Sequence, residues 1–132
     1  MTDPDFIRQL YDRYPELVTK GDVEAIVDLY ADDATIEDPI GSDLRAGHDS
    51  IRAFYEASAG TITMKRSGPV RVAGNEAATP LVVLMGPEGQ QQALDVISAM
   101  TFDDAGKIKS MRAYWSFDAI RPATADDAKG PA

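Results

Sequence analysis

Residues 81–102 read LVVLMGPEGQQQALDVISAMTF, two apolar runs joined by a turn. Leu81, Val83 and Met85 alternate with Val82 and Leu84, all apolar, which predicts a strand covered on both faces. Gly86-Pro87-Glu88-Gly89 reverses the chain, and Gln91 to Phe102 forms a long partner strand. Along that strand residues 94, 96, 98 and 100 share a face: Leu, Val, Ser and Met, an apolar wall with one hydroxyl. The same period of two extends in both directions. Upstream, Ile62 and Met64 alternate, Gly68-Pro69 marks a break or bulge, Val70 and Val72 continue, and Gly74-Asn75 makes a tight hairpin. Downstream, Asp103 to Gly106 is a turn and Lys107 to Ser116 the last strand.

Before Thr61 the spacing is helical. Asp3-Pro4 is a helix start, an oxygen acceptor at the cap with proline at the first helical position. Phe6, Ile7, Leu10, Tyr11, Tyr14, Leu17 and Val18 then define one buried face, and Gly21 ends the helix. Pro15 lies inside this run, removes a backbone donor and crowds the Tyr11 carbonyl, so a kink or local break is expected there. Asp22 caps a second helix with apolar positions Val23, Ile26, Val27 and Tyr30; Asp32-Asp33 is a turn, and Ala34 to Asp38 a short strand. Residues 39–47 are a loop, and a third helix runs from about His48 to Ala59, with Ile51, Phe54 and Tyr55 inward. His48, next to Gly47 at the helix start, is expected to be exposed and without a catalytic role. Three helices followed by mainly antiparallel strands make an α+β domain over residues 1–118. Residues 119–132, rich in Ala, Asp and Pro, are expected to be a mobile tail.

Composition bounds the chemistry. With 132 residues, 44% of them hydrophobic, the chain can bury a core as one domain. It has no cysteine and one histidine, which leaves no thiolate chemistry and little material for a transition-metal site; neither metal nor cofactor is expected. A net charge of −9 opposes binding to nucleic acid or anionic membranes. The opening Met1-Thr2-Asp3-Pro4-Asp5 is neither basic nor apolar, and no apolar run reaches the length of a membrane span. A cytoplasmic location is expected.

Short pieces of the chain, taken in order, carry a resemblance. They are Tyr14 with Glu16-Leu17-Val18 and Gly21-Asp22; Glu24-Ala25-Ile26-Val27 with Tyr30 to Thr35; Glu37-Asp38-Pro39 with Gly41; and Ala53-Phe54-Tyr55. Later come Gly68-Pro69-Val70-Arg71, Ala93 to Ile97, and Met111 with Ala113-Tyr114-Trp115-Ser116. Together, over roughly residues 5–117, they resemble the steroid Δ5-isomerases, the ketosteroid isomerases of the NTF2-like cone fold. The resemblance implies a curved sheet wrapped on three helices around an apolar pocket. It also implies a homodimer through the outer sheet face and a small hydrophobic, steroid-like substrate.

The same resemblance implies the roles. Asp38 is the general base, moving a proton along one face of a β,γ-unsaturated 3-oxosteroid, and Tyr14 is the principal oxyanion donor. That pairing of an Asp base with an oxyanion hole is characteristic of this family. Tyr30 and Tyr55 support the Tyr14 hydroxyl, and Trp115 borders the base and donates to it. Val18, Phe54, Leu81, Val83, Met85, Val96, Met111 and Ala113 line the pocket. The chain departs from the family pattern at two positions. Pro15 follows Tyr14 directly, and Ser98 stands where the family places a protonated aspartic acid as second oxyanion donor. Either the Ser98 hydroxyl takes that role or a water does. A polyketide cyclase of the same fold and a non-catalytic binder of small hydrophobic ligands remain as alternatives. An epoxide hydrolase of the limonene type would need an Asp-Arg-Asp constellation that cannot be assembled from this sequence.

Overall fold

The structure is a computed structural model that describes residues 2–128. Asp3 caps helix α1 (Pro4–Lys20), its carboxylate accepting the Asp5 backbone N–H, with Pro4 at the first position. The helix buries Ile7, Leu10, Tyr11, Tyr14, Leu17 and Val18 against the sheet and stops at Gly21, whose φ of 72° lets its N–H reach the carbonyls of Leu17 and Val18. It runs through Pro15 without the break that proline's chemistry predicts. One missing backbone donor is outweighed here by the apolar face on either side of it, which packs along strand β3 (Ile62–Arg66).

Helix α2 (Val23–Val27), capped by the Asp22 carboxylate, is shorter than its spacing suggests. Tyr30, expected on its face, instead opens strand β1 (Tyr30–Glu37), and Asp32-Asp33 lie within that strand and not in a turn. The parallel register against β7 (Ile108–Tyr114) explains this: Tyr30 pairs with Ile108 but Thr35 with Ser110. Five steps along β1 answer two along β7, so the extra residues bulge and both aspartates face solvent. The loop at residues 39–47 contains strand β2 (Arg45–Ala46), antiparallel to the end of β1. Helix α3 (His48–Glu56) is three residues shorter than expected. His48 is half-buried, with Nε2 2.9 Å from the Tyr30 carbonyl oxygen.

Strands β3, β4 (Arg71–Ala73), β5 (Glu76–Met85), β6 (Gln92–Phe102) and β7 complete a curved sheet in the order β2-β1-β7-β6-β5-β3. Among these strands only the β1–β7 pair is parallel. β3 and β4 follow one another along the same strand, β5, with the predicted break at Gly68-Pro69 between them. Leu81 to Leu84 are buried on both faces of β5, as their unbroken apolar run predicts. The inner pair faces the main core; Val82 and Leu84, with Ala93, form a small outer cluster covered by Ala123.

That cover comes from the segment expected to be a mobile tail. Strand β8 (Arg121–Pro122) pairs with Gln92 and Ala93 on the stretch of β6 beyond the end of β7. The Arg121 guanidinium binds Asp95 at 2.9 and 3.0 Å and Asp127 at 2.8 and 2.9 Å. Residues up to 128 are thus part of the folded unit; residues 129–132 lie outside the described ones. Among the described residues no helix is long and apolar enough to cross a membrane.

Candidate active site

The concave side of the sheet, α1 and α3 enclose a cavity of about 460 Å³. Each wall follows from the period of its element. Tyr14 and Val18 are one turn apart on α1, and Phe54 and Tyr55 come from α3. Leu81, Val83 and Met85 are alternate residues of β5, and Leu94, Val96 and Ser98 of β6. Met111, Ala113 and Trp115 continue the alternation on and just past β7. Every pocket residue named from the sequence is on this wall, as are Tyr14, Asp38, Ser98, Tyr55 and Trp115.

Asp38 follows the last residue of β1, where Pro39 ends the strand. The turn is tied down at two points: the Glu37 carboxylate accepts the Gly41 N–H at 2.8 Å, and the Ile40 N–H donates to the Ala113 carbonyl at 2.9 Å. This holds Asp38 against β7, where Trp115 Nε1–H donates to Asp38 Oδ1 at 2.6 Å. Burial pushes the Asp38 carboxyl above the usual carboxylate range, opposed by the Trp115 hydrogen bond and by the charge of Arg45. The result is a carboxylate more basic than one in water, with one oxygen engaged by Trp115, on the wall of a mainly apolar cavity.

The hydroxyls form two separate groups. Tyr14 Oη lies 2.8 Å from Tyr55 Oη, which lies 2.6 Å from Tyr30 Oη. Tyr30 is behind the wall, bonded directly to Tyr55 and near enough to Tyr14 to act on its hydroxyl as well. Burial, before any other cause, raises the pKa of all three phenols, so at neutral pH they are neutral donors. Ser98, buried, is not bonded to this chain of tyrosines. Its Oγ is 3.2 Å from the hydroxyl of Tyr11. A basic carboxylate and neutral hydroxyl donors facing one apolar cavity suit proton abstraction next to a carbonyl, with the resulting oxyanion held by hydrogen bonds. Among the described residues no three His, Cys, Asp or Glu side chains come together as a metal site.

Sequence reasoning missed Tyr11 and Arg45. Tyr11 precedes Tyr14 by three residues, so helical spacing already sets the two side by side, but not what Tyr11 meets across the core. Arg45 gave no signal; it lies in a loop-like stretch and enters the wall because β2 pairs with β1, with its guanidinium 5.1 Å from the Phe54 ring centroid.

A family model for the SnoaL-like domain matches residues 11–111. The chain belongs to this SnoaL-like, NTF2-like family. The match includes Tyr14, Tyr30, Asp38, Tyr55 and Ser98, whereas Ala113 and Trp115 lie beyond its end. Among relatives of this SnoaL-like chain, a steroid Delta-isomerase of Nocardioides simplex is 42% identical over 104 residues, covering 79% of this chain and 85% of that protein. Epoxide hydrolase LasB of Streptomyces lasalocidi is 27% identical over 122 residues, covering 74% of this chain and 43% of that protein. A solved structure of SalBIII, an epoxide hydrolase/cyclase-like enzyme with a role in pyran ring formation in the polyether salinomycin, superimposes with a TM-score of 0.84. It is 28% identical, and the similarity covers 93% of this chain and all of that one. The SnoaL-like assignment agrees with the NTF2-like curved sheet and three helices described above.

Proposed function

We propose that the protein is a cofactor-free isomerase that moves the double bond of a 3-oxo-Δ5-steroid into conjugation with the ketone. The observation that carries this reading is the half-buried carboxylate of Asp38, raised in pKa and facing the same apolar cavity as the Tyr14 hydroxyl. Asp38 takes the proton from the carbon between the ketone and the double bond. The C–H electrons form a new double bond to the carbonyl carbon, and the C=O π pair moves onto oxygen. Tyr14, with Ser98 as second donor, holds that oxyanion. The carbonyl then re-forms, the double bonds shift, and the far carbon takes the proton back from Asp38, so atoms and electrons balance with nothing added. An apolar wall keeps water from solvating the base or capturing the proton. The 42% identity to a steroid Delta-isomerase supports the reaction class. A homodimer belongs to the same reading: Ile97 and Tyr114, paired across β6 and β7 on the outer face, are each 46% exposed. Sedimentation as a monomer would remove that part.

The likeness to LasB and SalBIII favours a second reading, epoxide opening or cyclisation in the same cavity. Absorbance of the conjugated enone after addition of 5-androstene-3,17-dione separates the two. The isomerase reading expects a rise with wild type that falls by about 10²–10⁴-fold in Asp38→Asn. No rise with wild type, together with turnover of an epoxide, would establish the alternative.

A further inference from the structure

Tyr11 is fully buried and does not line the cavity, yet its hydroxyl meets the one polar side chain among the buried residues of β6. Tyr11 Oη lies 3.2 Å from Ser98 Oγ and 3.3 Å from the Ser98 carbonyl oxygen. Each hydroxyl carries one proton, so the pair has two arrangements. In the first, Tyr11 donates to the carbonyl and Ser98 donates to Tyr11; the serine proton is then engaged inside the protein and none is offered to the cavity. In the second, Tyr11 donates to Ser98 Oγ, and the serine proton is free to point at a ligand.

We propose that Tyr11 is a positioning residue that turns Ser98 into an oxyanion donor, an oxyanion in the cavity drawing the pair into the second arrangement. This rests on the isomerase reading given above. It gives the cavity two relays that converge on one oxygen: Tyr30–Tyr55–Tyr14 and Tyr11–Ser98. Both relays are reached from one face of α1, because Tyr11 and Tyr14 are three residues apart on it. The chemistry favours the arrangement. A serine hydroxyl is a weak acid and a weak donor, and accepting a hydrogen bond polarises its O–H toward its own acceptor. Burial keeps Tyr11 neutral, so it always has that proton to give. A phenol behind the serine thus offsets, in part, the absence of a carboxylic acid at position 98.

The test is a double-mutant cycle on Tyr11→Phe and Ser98→Ala, read by equilibrium binding of equilenin, whose naphtholate mimics the enolate oxygen, and by its absorbance as a measure of ionised ligand in the site. Tyr11→Phe should weaken binding about two- to tenfold and lower the ionised fraction, the effect of one hydrogen bond. In the Ser98→Ala background the same substitution should change nothing, because its effect passes through the serine. Losses that multiply in the double variant overturn the proposal, and so does an unchanged ionised fraction in Tyr11→Phe. A Tyr11→Phe protein that fails to fold overturns it as well, by making Tyr11 structural. Binding does not require turnover, so the two ideas fail separately. Wild type that binds equilenin but leaves 5-androstene-3,17-dione untouched, with non-additive losses in the cycle, sinks the isomerase reading alone. Wild type that turns the steroid over, with losses that multiply in the cycle, sinks the Tyr11 relay alone. No equilenin binding by wild type sinks both.

Discussion

Tyr55→Phe and Tyr14→Phe should have opposite profiles, and the geometry of three hydroxyls says why. Tyr55 Oη bridges Tyr14 at 2.8 Å and Tyr30 at 2.6 Å, and all three side chains are buried. Tyr55 is the direct partner of the Tyr30 hydroxyl, and the Tyr14 hydroxyl lies near enough to interact with it as well. Removing the bridging oxygen leaves Tyr30 and Tyr14 with only their weaker approach to one another until a ligand arrives. Each hydroxyl deprived of its partner costs about 1–3 kcal/mol, about 2–6 kcal/mol for the two; their residual contact keeps the loss in the lower part of that range, so Tyr55→Phe should lower the unfolding free energy by about 2–4 kcal/mol. Its effect on turnover is small. Tyr14 can still donate to the oxyanion and loses only the polarisation its neighbour supplied, roughly 10–30% of one hydrogen bond, which is less than about a tenfold change. Tyr14→Phe removes the donor itself, a loss of about 10²–10³ in kcat. It leaves the Tyr55–Tyr30 bond intact, so stability falls by about 1 kcal/mol or less. Urea titration followed by the fluorescence of Trp115, the chain's single tryptophan, gives the stabilities, and enone absorbance gives kcat. If Tyr55→Phe cost as much kcat as Tyr14→Phe while leaving the urea midpoint unmoved, the division into a bridging Tyr55 and a donating Tyr14 would be wrong.

Three more substitutions probe the base and the strap behind the sheet. Burial raises the pKa of Asp38, while the Trp115 N–H and the Arg45 charge lower it; the base works ionised, so kcat/KM declines as pH falls through that pKa. Arg45→Met and Trp115→Phe each remove an opposing influence, so each should move the acid limb of the pH profile upward, Trp115→Phe further; an unmoved or lowered limb would contradict the assignment of Asp38 as base. Arg121→Met frees Asp95 and Asp127 at once, and hydrogen exchange should speed up over residues 119–128 with kcat unchanged. Protection that survives the substitution would mean that β8 is held by its backbone pairing and by Ala123 alone.

Most of the sheet could be read from the sequence because a strand's side-chain period is two and one break is visible against it. Residues 94, 96, 98 and 100 were predicted to share a face, and all four are buried. The first third of the chain was harder. Tyr30 continues the 23, 26, 27 spacing of a helix, but the backbone there is taken over by pairing with Ile108, a contact 78 residues away that local spacing does not contain. Pro15 follows the same logic with the opposite sign: a local rule demands a break, and the packed face of α1 overrides it. Residues 119–128 read as a tail from composition because what holds them, Arg121 on Asp95 and the partnering of β8 with β6, crosses 26 residues or more.

The site divides along the same line. Residues that face the cavity because of their own element's period were legible: Tyr14 and Val18 on one turn, Ser98 on the apolar side of its strand, Ala113 and Trp115 on alternate positions. Residues that matter because two elements meet were not. Tyr11 and Ser98 are 87 positions apart, and their hydroxyls touch only because the sheet curves until β6 faces the first helix. No period along either element encodes that curvature. It follows that the worth of a serine hydroxyl as an oxyanion donor cannot be judged at position 98 alone. A hydroxyl there is a weak donor if it spends its proton on the protein and a useful one if a neighbour returns it, and the neighbour that decides between these, Tyr11, lies on a different element at the other end of the chain.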